Sequence, residues 1–136
     1  MILDGISKIL GREFAFIALG CAGDSSSLEG HSYTYEGSTW GEIVQIIIDS
    51  KCMNPVIYCD ELDKISDSAR GQKIASLLTH LTDTTQNNQF QDKFFSGIEF
   101  DLSKCLFIFS YNDETKVNPI LKYKRRDTIV SSLKRN

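Results

Sequence analysis

The chain has 136 residues, enough for one domain and too few for two. Hydrophobic residues make up 41% and charged residues 24%, which reads as globular, and the formal net charge of -3 gives no support to a nucleic-acid surface. No apolar run approaches the roughly 20 residues of a membrane span. The text Met1-Ile2-Leu3-Asp4-Gly5 lacks the positive start, apolar stretch and cleavage site of a secretory leader.

Taken in chain order, Ile2, Ile6, Ile9 and Leu10 recur at helical spacing, with Gly11 placed to end the helix, so residues 2–10 read as helical. Phe14-Ala15-Phe16-Ile17-Ala18-Leu19 is a continuous apolar run of strand length, the pattern of a strand buried on both faces. Gly20 to Gly30 is rich in Gly and Ser and reads as a loop. Ile43, Ile46 and Ile47 mark a helix from Trp40 to Lys51, which Asn54-Pro55 ends because a residue before proline is pushed out of the helical region. Val56-Ile57-Tyr58-Cys59 is a second buried strand.

Ile74, Leu77, Leu78 and Leu81 follow the i, i+3, i+4, i+7 pattern of an amphipathic helix over 70–82. The polar stretch Thr84 to Gln91 reads as an exposed loop, and Phe94 to Phe100 as irregular or hairpin structure. Leu106-Phe107-Ile108-Phe109-Ser110 is a third buried strand. The tail from Lys122 is basic, with Lys124, Arg125, Arg126, Lys134 and Arg135. Strands alternating with helices predict an α/β fold with a parallel sheet. Cys21, Cys52, Cys59 and Cys105 form no close Cys-x-x-Cys pair. They read as free thiols in a reducing compartment, so a cytoplasmic location is expected.

The strand Val56–Cys59 runs straight into Asp60-Glu61-Leu62-Asp63-Lys64. Ligands of open α/β sheets sit beyond the carboxyl ends of the strands. There an Asp can hold the magnesium of a triphosphate and a Glu can polarise the attacking water. The alternative is an acidic turn that favours the start of the next helix. Asn112 lies just beyond the third strand, and neighbouring parallel strands would bring Asp60, Glu61 and Asn112 to one edge. Its amide could bond the water or a terminal phosphate oxygen; Asn-Asp is equally a good turn pair.

At this point the sequence resembles the AAA+ ATPase module of Lon-type ATP-dependent proteases. The resemblance rests on Gly11-Arg12-Glu13-Phe14, on Gly30-His31-Ser32-Tyr33-Thr34-Tyr35-Glu36-Gly37, and on the Walker B text from Asn54 to Lys64. It continues through Arg70-Gly71, Ser76-Leu77-Leu78, Gln86-Asn87-Asn88-Gln89-Phe90-Gln91-Asp92 and Asp101 to Ile108, in the family's order over residues 8–121. It implies a partial three-layer AAA+ P-loop NTPase sheet of about three parallel strands, with helices on both faces. Residues 1–121 would form the partial core and 122–136 the basic tail.

The resemblance implies that Asp60 associates with Mg2+ and ATP, directly or through water. Glu61 would be the catalytic base and Asn112 the sensor-1 amide. Tyr35 would be the aromatic of a loop that grips unfolded protein, and Arg125 or Arg126 an arginine finger. It further implies ATP hydrolysis coupled to unfolding and degradation, in a ring homo-oligomer. Three departures matter. No Gly-x-x-x-x-Gly-Lys-Ser/Thr segment is present to cradle phosphates. Glu36 follows Tyr35 where the family has an aliphatic residue. No serine or histidine stands in a peptidase context, although the intact family is proteolytic. Isolated activity is therefore expected to be negligible, and an alternative is a non-catalytic interaction module or relic that pairs with an intact ring subunit. A truncated N-terminus would make an organelle matrix a second possible location. With the first strand of the family absent, the edge of Leu106–Ser110 is left for a partner chain, for the segment Asp127–Leu133, or for nothing.

Overall fold

The computed structural model describes residues 5, 8–21, 25–32, 34, 36–65, 67–122 and 128–132. Residues 8–10 are helical, and Gly11 follows at φ 63 with its N–H donated to the Lys8 carbonyl at 3.3 Å. Strand β1 is Phe14–Ala18. A short turn at Leu19–Cys21 and the one-turn helix α1, Ser26–Glu29, lead to helix α2, Glu42–Ser50. Strand β2, Val56–Asp60, is followed by a tight turn at Leu62–Lys64 and by helix α3, Ala69–Thr82. Strand β3 is Leu106–Tyr111, and the short helix α4, Pro119–Lys122, precedes strand β4, Thr128–Ser132.

The two main helices are explained by their sequences. In α2, Ile43, Val44 and Ile46 are buried at helical spacing, and Lys51 closes the helix in the left-handed conformation at φ 53. In α3 the Ser68 hydroxyl accepts from the Gly71 N–H at 3.3 Å, a side-chain N-cap, and Ile74, Leu78 and Leu81 face inward.

The sheet is wholly parallel in the order β1-β2-β3-β4. Such an order steps in one direction, so right-handed crossovers would carry the connecting helices to one face. The core agrees. Ile17, Ile57, Cys59, Phe107 and Phe109 share one cluster with Ile43, Ile46, Ile74, Leu78 and Leu81. The opposite face holds a smaller cluster of Val56, Tyr58 and Ile108, with Phe14 and Leu106 packed against it. The α/β expectation and its three strands hold, but the expected helices on both faces are corrected: α2 and α3 pack on one face, because a sheet order that steps in one direction carries its crossovers to one side. The fourth strand comes from the C-terminal segment and pairs with β3 through Phe107↔Thr128 to Tyr111↔Ser132. That pairing occupies the edge for which the sequence left three candidates.

Two local expectations are corrected. Strand β1 is not buried on both faces: Phe16 is 51% exposed, because β1 is an edge strand and its ring is covered mainly by the Tyr58 ring at 5.6 Å. The stretch 84–91 is not all exposed loop. Asn87 and Phe90 are buried, because Leu102 donates its N–H to the Asn87 carbonyl at 2.9 Å and Phe90 pairs antiparallel with Phe100.

The starts of the strands are tied by one side chain. The Arg12 guanidinium, just before β1, donates to the carbonyls of Asn54 at 2.6 Å and of Lys104, which precede β2 and β3. Among the described residues no helix is long and apolar enough to cross a membrane.

All four cysteines are free. Burial pushes the Cys59 thiol far up, with the nearby Glu42 charge adding to it, and burial pushes Cys105 up to about 12. At pH 8 a thiol reagent should therefore label Cys21 quickly and reach Cys59 and Cys105 only on unfolding; rapid labelling of Cys59 in the folded chain would contradict this packing. The linkage has one sign. Unfolded thiols ionise from their ordinary value of 9.0 upward while the folded ones stay protonated, so stability should fall as pH rises above 9.0.

Candidate functional site

The register Cys59↔Phe109 brings Asp60 level with Ser110 at the carboxyl ends of β2 and β3. The half-buried Asp60 uses Oδ1 twice, accepting from the Ser110 hydroxyl at 2.5 Å and from the Glu61 N–H at 2.9 Å. Its Oδ2 has no hydrogen-bond partner among the described residues. One oxygen thus fixes the carboxylate, and the other keeps its full acceptor capacity.

Glu61 is held in an uncommon backbone conformation, φ 62 and ψ 44. For a residue with a Cβ this left-handed region costs roughly 1–2 kcal/mol. The conformation turns the chain sharply at the strand tip. The room its side chain uses comes from Gly20, in the turn after β1: a Cβ on Gly20 would collide with Glu61 Oε2. Three strand ends therefore meet here, since Ala18 of β1 pairs with Asp60.

Asp63 completes the arrangement from the Leu62–Lys64 turn. It is 6% exposed, and its Oδ2 accepts from the backbone N–H groups of Asn112 at 3.3 Å and Asp113 at 3.1 Å. Its Oδ1 is buried and has no hydrogen-bond partner among the described residues. Removing the carboxylate would take the acceptor from two part-buried backbone donors. Asn112 is exposed, and its side-chain amide makes no hydrogen bond among the described residues.

Asp60, Glu61 and Asn112, named from the sequence, thus lie at one sheet edge. Asp63 and Ser110 were missed. Asp63 had a signal, standing three residues after Asp60, but its partners are 49 and 50 residues away in the chain. Ser110 looked like the polar end of an apolar run. Tyr35, Arg125 and Arg126 lie outside the described residues.

Among the described residues no group of three or more His, Cys, Asp or Glu could hold a metal ion. Nucleotide-bound Mg2+ needs less from protein: one or two carboxylates, with phosphate oxygens and water supplying the rest. The unbonded Oδ2 of Asp60 fits that demand. A cradle of backbone N–H groups for the phosphates is a separate requirement, and no segment of the sequence has its glycine and lysine spacing.

A parallel α/β sheet with acidic residues at its carboxyl edge is consistent with a partial P-loop NTPase-like domain. No protein-family model matches the chain. Curated relatives do. Over 132 residues the chain is 39% identical to a Lon protease homolog of Acanthamoeba polyphaga mimivirus, covering 96% of this chain and 13% of that protein. It is 42% identical over 121 residues to the Lon protease of Campylobacter concisus, covering 89% and 15%. It is 38% identical over 131 residues to the Lon protease of Helicobacter pylori, covering 96% and 15%. The chain carries a Lon-type module, and it spans 13 to 15% of the length of these relatives.

The strain at Glu61 makes a prediction about stability. Glycine enters the left-handed region freely, so Glu61→Gly should raise the free energy of unfolding by about 0.5–1 kcal/mol, read as a higher urea midpoint at unchanged slope. A lower midpoint would mean that Glu61 is not strained in the folded chain.

Proposed function

We propose that this chain supplies the water-activating half of an ATP site in a Lon-like AAA+ ATPase module. The observation that carries the reading is the Asp60 carboxylate, fixed through Oδ1 by Ser110 and by the Glu61 N–H, with Oδ2 left unbonded. In this reading Asp60 holds Mg2+, through water or directly. Glu61 accepts the proton of the attacking water. The Asn112 amide bonds that water or the terminal phosphate, and Asp63 holds the Asn112 backbone in place. When bound, Mg2+ neutralises charge on the phosphates and the transferred group needs little else but positioning.

The remaining roles follow from kinship with Lon proteases. The expected division into a core of residues 1–121 and a basic tail of 122–136 is revised, because Thr128–Ser132 belongs to the sheet. Tyr35 contacts an unfolded polypeptide, Arg125 or Arg126 reaches a neighbouring subunit's nucleotide, and the assembled form is a ring. The chain is an ATP hydrolase component. A second reading draws on the lack of a phosphate-cradle segment. In it the chain is a non-catalytic module that pairs with an intact ring subunit.

Calorimetry with Mg-ATP separates the two. Without a cradle, most phosphate contacts are absent, so the hydrolytic reading predicts weak binding with a Kd of about 1 mM. That binding should depend on Mg2+, vanish in Asp60→Ala, and give no measurable turnover in the isolated chain. No heat from the folded chain, or binding indifferent to Asp60→Ala, would overturn the reading and favour the interaction module.

A further inference from the structure

Away from the acidic edge, one buried charge has no role in the site just described. Asp92 is fully buried, at 0% exposure. Among the described residues no lysine, arginine or histidine pairs with it. Its two oxygens go instead to two backbone groups from separate segments. Oδ2 accepts from the Gly41 N–H at 2.7 Å, and Oδ1 accepts from the Phe94 N–H at 2.8 Å. A buried carboxylate without a cation is expensive unless its hydrogen bonds are well made.

The position of Gly41 explains what this bond does. Gly41 is the N-cap of α2, a helix that has no side-chain cap of its own. Asp92 provides the acceptor from a distant segment, and its negative charge suits the positive end of the helix. Gly41 is also where the chain rejoins the core after the segment of 31–40, whose His31, Thr34, Glu36, Gly37 and Thr39 are exposed. The other end of the loop is Gly30, which closes α1 through its N–H to the Ser26 carbonyl at 2.8 Å. The two ends nearly touch. A Cβ on Gly30 would collide with Asp92 Oδ1, and one on Gly41 would collide with the Leu28 carbonyl. His31 then donates its N–H to the Thr39 carbonyl at 3.1 Å, so the loop leaves and returns through one narrow neck.

The segment after Asp92 holds the same neck from outside. Lys93 donates its N–H to the Glu29 carbonyl at 2.8 Å, and its ammonium meets Glu29 Oε1 at 2.9 Å. Trp40, the last residue of the loop, lies against Phe94 and Phe95, each at 5.7 Å between ring centres. Its indole N–H is used by Gln45 at 2.7 Å. Beyond the neck, His31, Thr34, Glu36, Gly37 and Thr39 are exposed.

We infer that Asp92 is the positioning residue of the neck formed by Gly30, His31, Thr39, Trp40 and Gly41, latching that neck to the 92–95 segment so that the two move as one body. The functional sense of this inference rests on the proposed contact between the 31–40 segment and unfolded polypeptide. A loop that must bear on a substrate chain gains from a rigid base, and the base here is set by a residue fifty-one positions away from Gly41.

Amide hydrogen exchange on the full chain tests it. In the unaltered chain, Gly41 and Phe94 should exchange about 100-fold more slowly than Gly37 at the loop tip. In Asp92→Asn, one acceptor is replaced by a donor, so exchange at His31, Gly41 and Phe94 should rise about tenfold or more, while Tyr58 and Ile108 in the sheet keep their rates. The inference is overturned if Gly41 and Phe94 exchange as fast as Gly37, or if Asp92→Asn leaves them unchanged or speeds the sheet equally. Should Asp92→Asn not fold, the comparison within the unaltered chain still decides. The underlying reading has its own measurement, capture of a dye-labelled, permanently unfolded polypeptide by Tyr35→Ala against the unaltered chain. Unchanged capture beside the expected exchange pattern would remove the substrate contact and leave the latch standing.

Discussion

The parallel pairing of β2 with β3, in the register Cys59↔Phe109, is the constraint from which the site follows. A slip of one residue would turn one strand over, taking either Ile57 and Cys59 or Phe107 and Phe109 away from the helices. It would also part Asp60 from Ser110. The register is secured at both ends. At the base, Arg12 spans to the carbonyls of Asn54 and Lys104. At the tip, Ser110 bonds Asp60, and Asp63 receives the chain as it leaves β3. The apolar core sets the fold, but polar side chains crossing the strands place the acidic edge.

The edge is organised around carboxylates that differ in what they do for the protein. Asp63 is nearly buried and serves the backbone. Asp60 divides its two oxygens between structure and the outside. Glu61 sits in a strained conformation with its side chain in space left by Gly20. Strain of this kind is kept where the surrounding structure over-determines it, and such places are often functional. Asp92 shows the same use of a carboxylate at a second location, where it serves the neck of a loop instead of a strand tip. Asp63 and Asp92 each bond two backbone N–H groups, and Asp60 bonds one backbone N–H beside the Ser110 hydroxyl, so most of this geometry is fixed through the main chain.

Much of the fold was legible because burial imposes periodicity. The apolar runs at 14–19, 56–59 and 106–110 correspond to strands Phe14–Ala18, Val56–Asp60 and Leu106–Tyr111, and the spacing of Ile74, Leu78 and Leu81 gave α3. The fourth strand was harder to read. Thr128, Ile129 and Val130 have strand preference, but lysines and arginines surround them and they were grouped with a basic tail. The half-exposed Phe16 could not be foreseen either, since an edge position belongs to the sheet and not to the run. At the site, Asp60 and Glu61 were legible from a strand that ends in acid. Asp63 and Ser110 were not, because their roles exist only once β2 and β3 lie side by side. Asp92 stood within the text that resembles Lon proteases, and only its two backbone partners reveal its work.

The claim that polar contacts across the β2–β3 seam hold the acidic edge is tested most directly by a double-mutant cycle on Asp60→Asn and Ser110→Ala, measured by urea unfolding. Groups in direct contact couple, and distant ones do not. A coupling energy of about 1 kcal/mol or more is predicted for this pair. Additive losses, with coupling within about 0.3 kcal/mol of zero, would show that Ser110 does not hold Asp60 and that the edge is assembled in some other way.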